Sequence, residues 1–501
     1  MPLAPSPLTP PRLRPRPGAA RQRRTRRLRR ALSHPALPAW GLAAGFAALY
    51  ACVGVNRHRR GLTKAYDLGI FEQAIRAYAH GRAPIVPLKG PGYHLLGDHF
   101  HPLVATLAPA YRAFPTPLTL VVAQALLMAS AVVPLTRWAH EVAGPRVALL
   151  VGCATGASWG IVRAAADDFH EIAFAVPLLA FAAVALGRRR PLTAALWSLP
   201  LLLVKEDLGL TVAAVGLLIA RQARRGRRSP LPGLALAAVG TAATALTVLV
   251  VLPAFNTGGG FDYWQQLDGG GHAPLWALPV RLAWPPLKWL LLLLLAATAG
   301  FLGLRSPLLL LCLPTLAWRL LSANPHYWGV SYHYSAVLMP VALAALVDAV
   351  RRSGTTLGAT PGSARTPVRL PRRARYALAT TALVTAVTLP LYPLHEVVMP
   401  EAWSTPPRLL ATRAALDRIP DGATVAASNR LAAQLTSRTE VTLVCRAPLG
   451  RGPEWVAVDL RDPSVQSPCA LAETVRVLAA YHELGYRKRV DQDDLVLLER
   501  P

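Results

Sequence analysis

Residues 117–136 pass without a single charge, and comparable uncharged runs recur along most of the chain. A helix on a water-soluble core needs a polar outer stripe, whereas about 20 apolar residues cross the roughly 30 Å hydrocarbon core of a bilayer. Such runs lie at 35–55, 117–137, 146–161, 172–187, 191–204, 208–220, 230–253, 287–304, 306–321, 335–350 and 377–392. Charged residues make up 16% of the chain, against about 25% in soluble domains. The expected architecture is therefore mainly α: a polytopic membrane helix bundle of about eleven spans. The run at 35–55 is too long for a signal-peptide core and reads as a retained anchor.

The net charge of +28 does not point to nucleic acid. Its arginines fall in short segments between apolar runs, the positive-inside pattern of a multi-span protein, and they form no basic face or binding motif. Residues 1–34 carry ten Arg and no acid in Pro-rich sequence and are expected to form a disordered cytoplasmic tail. Clusters at 188–190, 221–228 and 351–375 fall on the same side. Eleven crossings then put the C-terminus outside.

The acids gather on the other side: DLGIFEQ (67–73) and LGDHFHP (96–102) in an outer loop spanning 56–116, then RAAADDFHE (163–171), VKED (204–207), the Gly-rich 256–271 and NPHYWGVSYHYS (324–335). VKED divides residues 191–220 into two apolar halves of only 13 or 14 residues, about 20 Å each. It should sit in a recess below the outer membrane surface, walled by protein.

Beyond residue 392 charges mix and apolar runs shorten. A helix at 406–418, strand-like ATVAAS, EVTLVC, WVAVDL and DLVLLE, and a helix at 471–484 predict a small extracytoplasmic α/β domain over 393–501. It could act as a lid, an acceptor-docking surface or a scaffold. Cys445 and Cys469 lie in it, where a disulfide and two free thiols are both open. The five cysteines make no CxxC pair, which argues against zinc-knuckle and thioredoxin-type motifs.

Each candidate site residue has a plain structural alternative. Asp67 precedes the apolar face of Leu68, Phe71, Ala74, Ile75 and Tyr78, so it is either the N-cap of an interfacial helix or a general base facing an outer cavity. Glu72 reads as a solvated or helix-pairing charge. Asp167 and Asp168, with His170 and Glu171, either complement a helix dipole or serve acid–base and divalent-metal chemistry. Glu206 and Asp207 at membrane depth are functional candidates by default. Lys205 neutralises one of them or grips a phosphate, as could Arg163. His99, His101, His326 and His333 could be metal ligands, but no HExxH or similar spacing supports zinc. Tyr327, Trp328, Tyr332 and Tyr334 form an interfacial belt or stack on a sugar. The candidate substrate-binding set is Arg163, Lys205, Glu206, Asp207, His99, His101, His170 and His333.

The ordered series YDLGIFEQ, GDHFHPLVATLAPAYRAFP, DDFHEIAFAVPLLAF, VKEDLGL and YHYSAVLMPVA closely resembles the DUF2079 family of bacterial membrane proteins. That family is similar to the GT-C superfamily of membrane glycosyltransferases, which take sugars from polyprenyl-phosphate donors on the outer face. In GT-C enzymes an essential acid follows the first span; Asp67 matches it, and Asp167 with Asp168 corresponds to the second acidic site. The resemblance implies a bilayer-embedded transferase with a polyprenyl-phosphate sugar donor, a cell-envelope acceptor and a possible divalent metal. The competing expectations are a transporter or flippase for a lipid-linked or anionic solute, and a non-catalytic scaffold.

Overall fold

The computed structural model describes residues 36–263, 278–354, 370–450, 452–466 and 468–501. The basic tail, the glycines at 269–271 and residues 355–369 within the 351–375 cluster lie outside them. Helix occupies all eleven apolar runs. Among the described residues, five helices are long and apolar enough to cross a membrane: Leu37–Arg59, Pro117–Ala143, Leu231–Phe255, His333–Arg352 and Arg372–Leu391. Pro145–Gly156 and Trp159–Ala165, bent by 44°, make a sixth if they form one span. Ile172–Gly187, Pro191–Leu203, Leu287–Thr298 and Pro307–Leu321 are apolar but shorter.

Burial separates centre from rim. The apolar window of His333–Arg352 is 89% buried and that of Leu231–Phe255 only 17%. Outward-facing Leu126, Leu149, Leu249, Leu293 and Leu383 are exposed, a cost in water but not against lipid tails, which are as apolar as leucine. Helices Leu208–Arg225 and Leu231–Leu246 meet backbone to backbone. A Cβ on Gly216 would lie 2.5 Å from the Gly233 carbonyl oxygen, and one on Gly240 would lie 2.4 Å from that of Gly209. Small residues at such spacing let membrane helices approach closely.

Acids and arginines take opposite helix ends. Helix Ile172–Gly187 begins after Glu171 and ends at Arg188, while Leu208–Arg225 begins after Asp207 and ends on Arg224 and Arg225. Arg189, Arg221, Arg225, Arg351 and Arg352 line one cleft with Asp348, whose carboxylate pairs with Arg351 at 2.8 Å and Arg352 at 2.6 Å.

The C-terminal part contains a five-stranded mixed sheet ordered β2-β1-β3-β5-β4. Its strands are β1 Thr424–Ala427, β2 Glu440–Leu443, β3 Trp455–Asp459, β4 Arg487–Gln492 and β5 Leu495–Glu499. β1 pairs in parallel with β2 and β3, and β5 runs antiparallel to β3 and β4. All four expected strands form. β4 escapes sequence reading because its RKRVDQ is an exposed charged edge, the composition that blunts edge-to-edge pairing. Cys445 and Cys469 are joined in a disulfide, with Cα atoms 5.6 Å apart.

This sheet domain is bolted to the loop at 56–116. Gln73 Nε2 donates to the Val441 carbonyl at 2.8 Å, Arg76 donates to the carbonyls of Thr436 and Thr439, and Arg446 donates to that of Lys89. Glu72 belongs to the same seam, which corrects the expectation of a solvated charge. It is fully buried and accepts from Tyr111 Oη at 2.9 Å and from Thr436 Oγ1. The helix Ile70–Ala79 turns this face to the sheet domain and not to water, a contact between distant segments that helical spacing cannot reveal.

Candidate functional site

Asp67 lies on a π-helical turn, Ala65–Gly69, which leads into helix Ile70–Ala79. The Asn429 side-chain oxygen accepts from the backbone N–H of Ala65 at 2.9 Å and of Tyr66 at 3.3 Å, so the sheet domain fixes this turn. The cap expectation fails: Lys64 holds the N-cap position, Asp67 lies within the first turn, and neither helical segment has a side-chain cap bond. A short π segment often marks a functional position. The Asp67 side chain is 27% exposed, and its Oδ1 lies 3.9 Å from His170 Nδ1.

DDFHE forms the bend between helices Trp159–Ala165 and Ile172–Gly187. Asp168 adopts φ +54°, the left-handed region that aspartate tolerates better than most residues. Gln124 clamps the bend: its amide nitrogen donates to the carbonyls of Ala164 and Asp168, and its oxygen accepts from His170 N at 2.9 Å. Asp167 faces inward. Its Oδ2 is 3.8 Å from His170 Nε2 and 3.6 Å from His333 Nδ1, while Oδ1 is 3.5 Å from Arg163 Nη2 and 4.0 Å from Lys64 Nζ. Asp168 turns away, accepting from Lys64 N at 3.1 Å.

VKED sits in the expected protein-walled recess. Lys205 Nζ binds Glu171 Oε1 at 2.8 Å. Glu206 accepts from Phe100 N at 3.1 Å and meets His99 Nδ1 at 2.8 Å. Trp318 Nε1 donates to Asp207 Oδ2 at 2.8 Å, and Asp207 Oδ1 has no hydrogen-bond partner. Nearby, Lys89 pairs with Asp98 at 2.6 Å, and His99 stacks on Tyr263 at 4.3 Å.

These groups line one cavity of about 400 Å³. Asp67, His99, His101, His170, Lys205, Glu206, Asp207 and His333 all contribute, as do Tyr66, Phe71, Tyr263, Trp318, Tyr327 and Tyr334. Leu210, Thr244 and Val248 extend its wall along helix Leu208–Arg225 and the apolar helix Leu231–Phe255. Asp167 stands behind His170 and His333. Arg163 and Asp168 are not in the wall, because one is engaged with Asp167 and the other with the Lys64 backbone. Sequence reading named Glu171 only as a neighbour of Asp167 and Asp168, and it left Lys89, Asp98, Gln124 and Trp318 out of the site. Asp98 and Glu171 lie inside the GDHFHP and DDFHE motifs and were within reach; a glutamine and a tryptophan inside apolar runs carry no signal.

Burial and partners set the charge states. Burial, reinforced by Asp167 and Asp168, pushes the Asp67 carboxyl well above its usual range. Burial beside Glu206 raises Asp207 to about 6, and burial beside Asp167 raises Asp168 to about 7. Burial alone would raise Glu171 too, yet Lys205 holds it well below its usual value; by the same opposition Lys89 brings Asp98 down to about 2. The cavity thus contains both firmly ionised carboxylates and carboxyls poised to take a proton, an arrangement typical of functional sites.

Fold and site together define a multi-span membrane protein with a charged, aromatic cavity near one end of its helices. The chain belongs to the family described as predicted membrane protein (DUF2079), whose model matches residues 57–497. No curated protein matches the chain.

Proposed function

We propose that this protein is a GT-C-like membrane glycosyltransferase that moves a sugar from a polyprenyl-phosphate donor to a cell-envelope acceptor on the outer face of the cell membrane. Its short apolar helices cross together with the long ones, about eleven crossings in all, with the N-terminus cytoplasmic and the sheet domain outside. The observation that carries this reading is the shared cavity: Asp67 and Lys205 line it together with aromatic rings suited to a sugar face, and membrane helices supply an apolar wall suited to an isoprenoid.

Asp67 removes the proton from the acceptor hydroxyl, and burial raises its affinity for that proton. The acceptor oxygen bonds to the anomeric carbon as the bond from that carbon to the phosphate oxygen breaks, and the electron pair leaves with the phosphate. Attack opposite the leaving group inverts the anomeric centre. Lys205 gives one of its three N–H donors to Glu171 and offers the others to the departing phosphate. Arg163, outside the cavity wall, is not assigned to the donor.

The test is transfer by purified protein from a panel of radiolabelled polyprenyl-phosphate sugars. Wild type should consume at least one donor, and Asp67→Asn should lower the rate by roughly 10²-fold or more, the usual worth of a positioned base. If wild type consumes no donor while proteoliposomes move lipid-linked sugar across the bilayer, the cavity serves transport and the transferase reading is wrong.

A further inference from the structure

His170 and His333 come from different parts of the chain, the DDFHE bend and the start of helix His333–Arg352. Their rings approach to 3.4 Å between centroids. His170 Nε2 and His333 Nδ1 face the same atom, Asp167 Oδ2, at 3.8 and 3.6 Å. These separations are too long for hydrogen bonds, and both nitrogens are buried without a hydrogen-bond partner. His170 is only 3% exposed and Asp167 only 5%. Leaving buried polar atoms unsatisfied costs about 1–3 kcal/mol each, so two converging on one carboxylate call for a bound group.

A metal ion meets that requirement. Nitrogen and oxygen ligands about 2.0–2.2 Å from a tetrahedral ion lie about 3.4 Å from one another, close to the two separations observed. The ligand atoms of Asp167, His170 and His333 all lie within 4.8 Å of one another. The other nitrogen of His170 faces Asp67 at 3.9 Å, and a metal-bound imidazole commonly has its free N–H oriented by a carboxylate.

We propose that Asp167, His170 and His333 bind one divalent transition-metal ion of the zinc type, with an open coordination position toward the cavity that His170 and His333 line. Two imidazoles and one carboxylate favour such an ion over magnesium, which prefers an all-oxygen shell. A role for it rests on the transferase reading. The cavity wall carries five carboxylates, Asp67, Asp98, Glu171, Glu206 and Asp207, against two ammonium groups, Lys89 and Lys205, each already paired with an acid. An anionic donor phosphate would meet net negative charge there, and a dication at the cavity floor reverses that balance where the phosphate must sit.

Binding is tested without any donor. Protein purified without a polyhistidine tag, stripped with chelator and dialysed against zinc sulfate, should retain one equivalent of zinc by elemental analysis. Cobalt substitution should give visible d–d absorption. His170→Ala and His333→Ala should each weaken zinc binding at least tenfold, and Asp168→Asn should leave it unchanged. Should the histidine variants fail to fold, Asp167→Asn, which keeps the side-chain volume, should show the same loss. Equal zinc retention by wild type and these ligand variants overturns the site, as does the absence of binding by folded wild type. Zinc binding without sugar transfer would leave the metal site standing and remove the transferase reading.

Discussion

Glu72 shows how far one residue's surroundings can depart from its sequence. Burial raises its carboxyl from 4.5 to about 7, against the opposing pull of bonds from Thr436 and Tyr111 and of Arg76 nearby. Because the folded value is the higher, the folded protein holds a proton that the unfolded chain loses from pH 4.5 upward. The resulting stability is complete below pH 4.5, shrinks as pH rises and is gone above about 7. The shift corresponds to roughly 3 kcal/mol. The melting temperature of wild type in detergent should therefore fall relative to that of Glu72→Gln as pH rises from about 4.5 to about 7. An unchanged profile in the variant would show that Glu72 is not protonated in the seam. Asp67 makes the complementary point: its spacing suits a cap, but its backbone lies inside a helical turn held by Asn429, more than 360 residues away in sequence. Its place in the cavity wall was legible only through the order of the family motifs.

At the level of elements, hydrophobic runs were the clearest text in the sequence. Every one became helix, which satisfies the backbone hydrogen bonds of apolar sequence within the segment itself. Lengths were less legible: the bend at residues 157–158 divides one run into two helices, whereas the break at Val204–Asp207 falls where VKED is expected to divide residues 191–220. Contacts between helices were not legible. The glycines of helices Leu208–Arg225 and Leu231–Leu246 look incidental until their backbones meet, and the approach brings Thr244 Oγ1 within 3.0 Å of the Glu206 carbonyl at the cavity. Gly216→Ala would push a methyl to 2.5 Å from the Ala237 nitrogen. It should lower the melting temperature by an amount corresponding to about 1–3 kcal/mol of overpacking. Gly41→Ala, with nothing within 4 Å, should leave the melting temperature unchanged or raise it. Equal effects at both sites would contradict the close-packing account.

Across the whole molecule, acids collect at one end of the helices and arginines at the other, and the sheet domain docks on the acidic end through Glu72, Gln73, Arg76 and Asn429. The domain thus supports the site indirectly: its Asn429 braces the turn carrying Asp67. The geometry gives the three acids expected to be catalytic different tasks. Asp67 faces the cavity, Asp167 stands behind two of its histidines, and Asp168 holds the Lys64 backbone. The most direct measurement is kcat for sugar transfer by Asp67→Asn and Asp168→Asn in one assay, with the melting temperature of each recorded alongside. The expected result is a loss of roughly 10²-fold or more for Asp67→Asn with stability retained, and no more than about tenfold for Asp168→Asn, since an amide oxygen can still accept from Lys64. Retained turnover in a folded Asp67→Asn protein, or a larger loss in Asp168→Asn, would contradict the assignment of the reaction to this cavity.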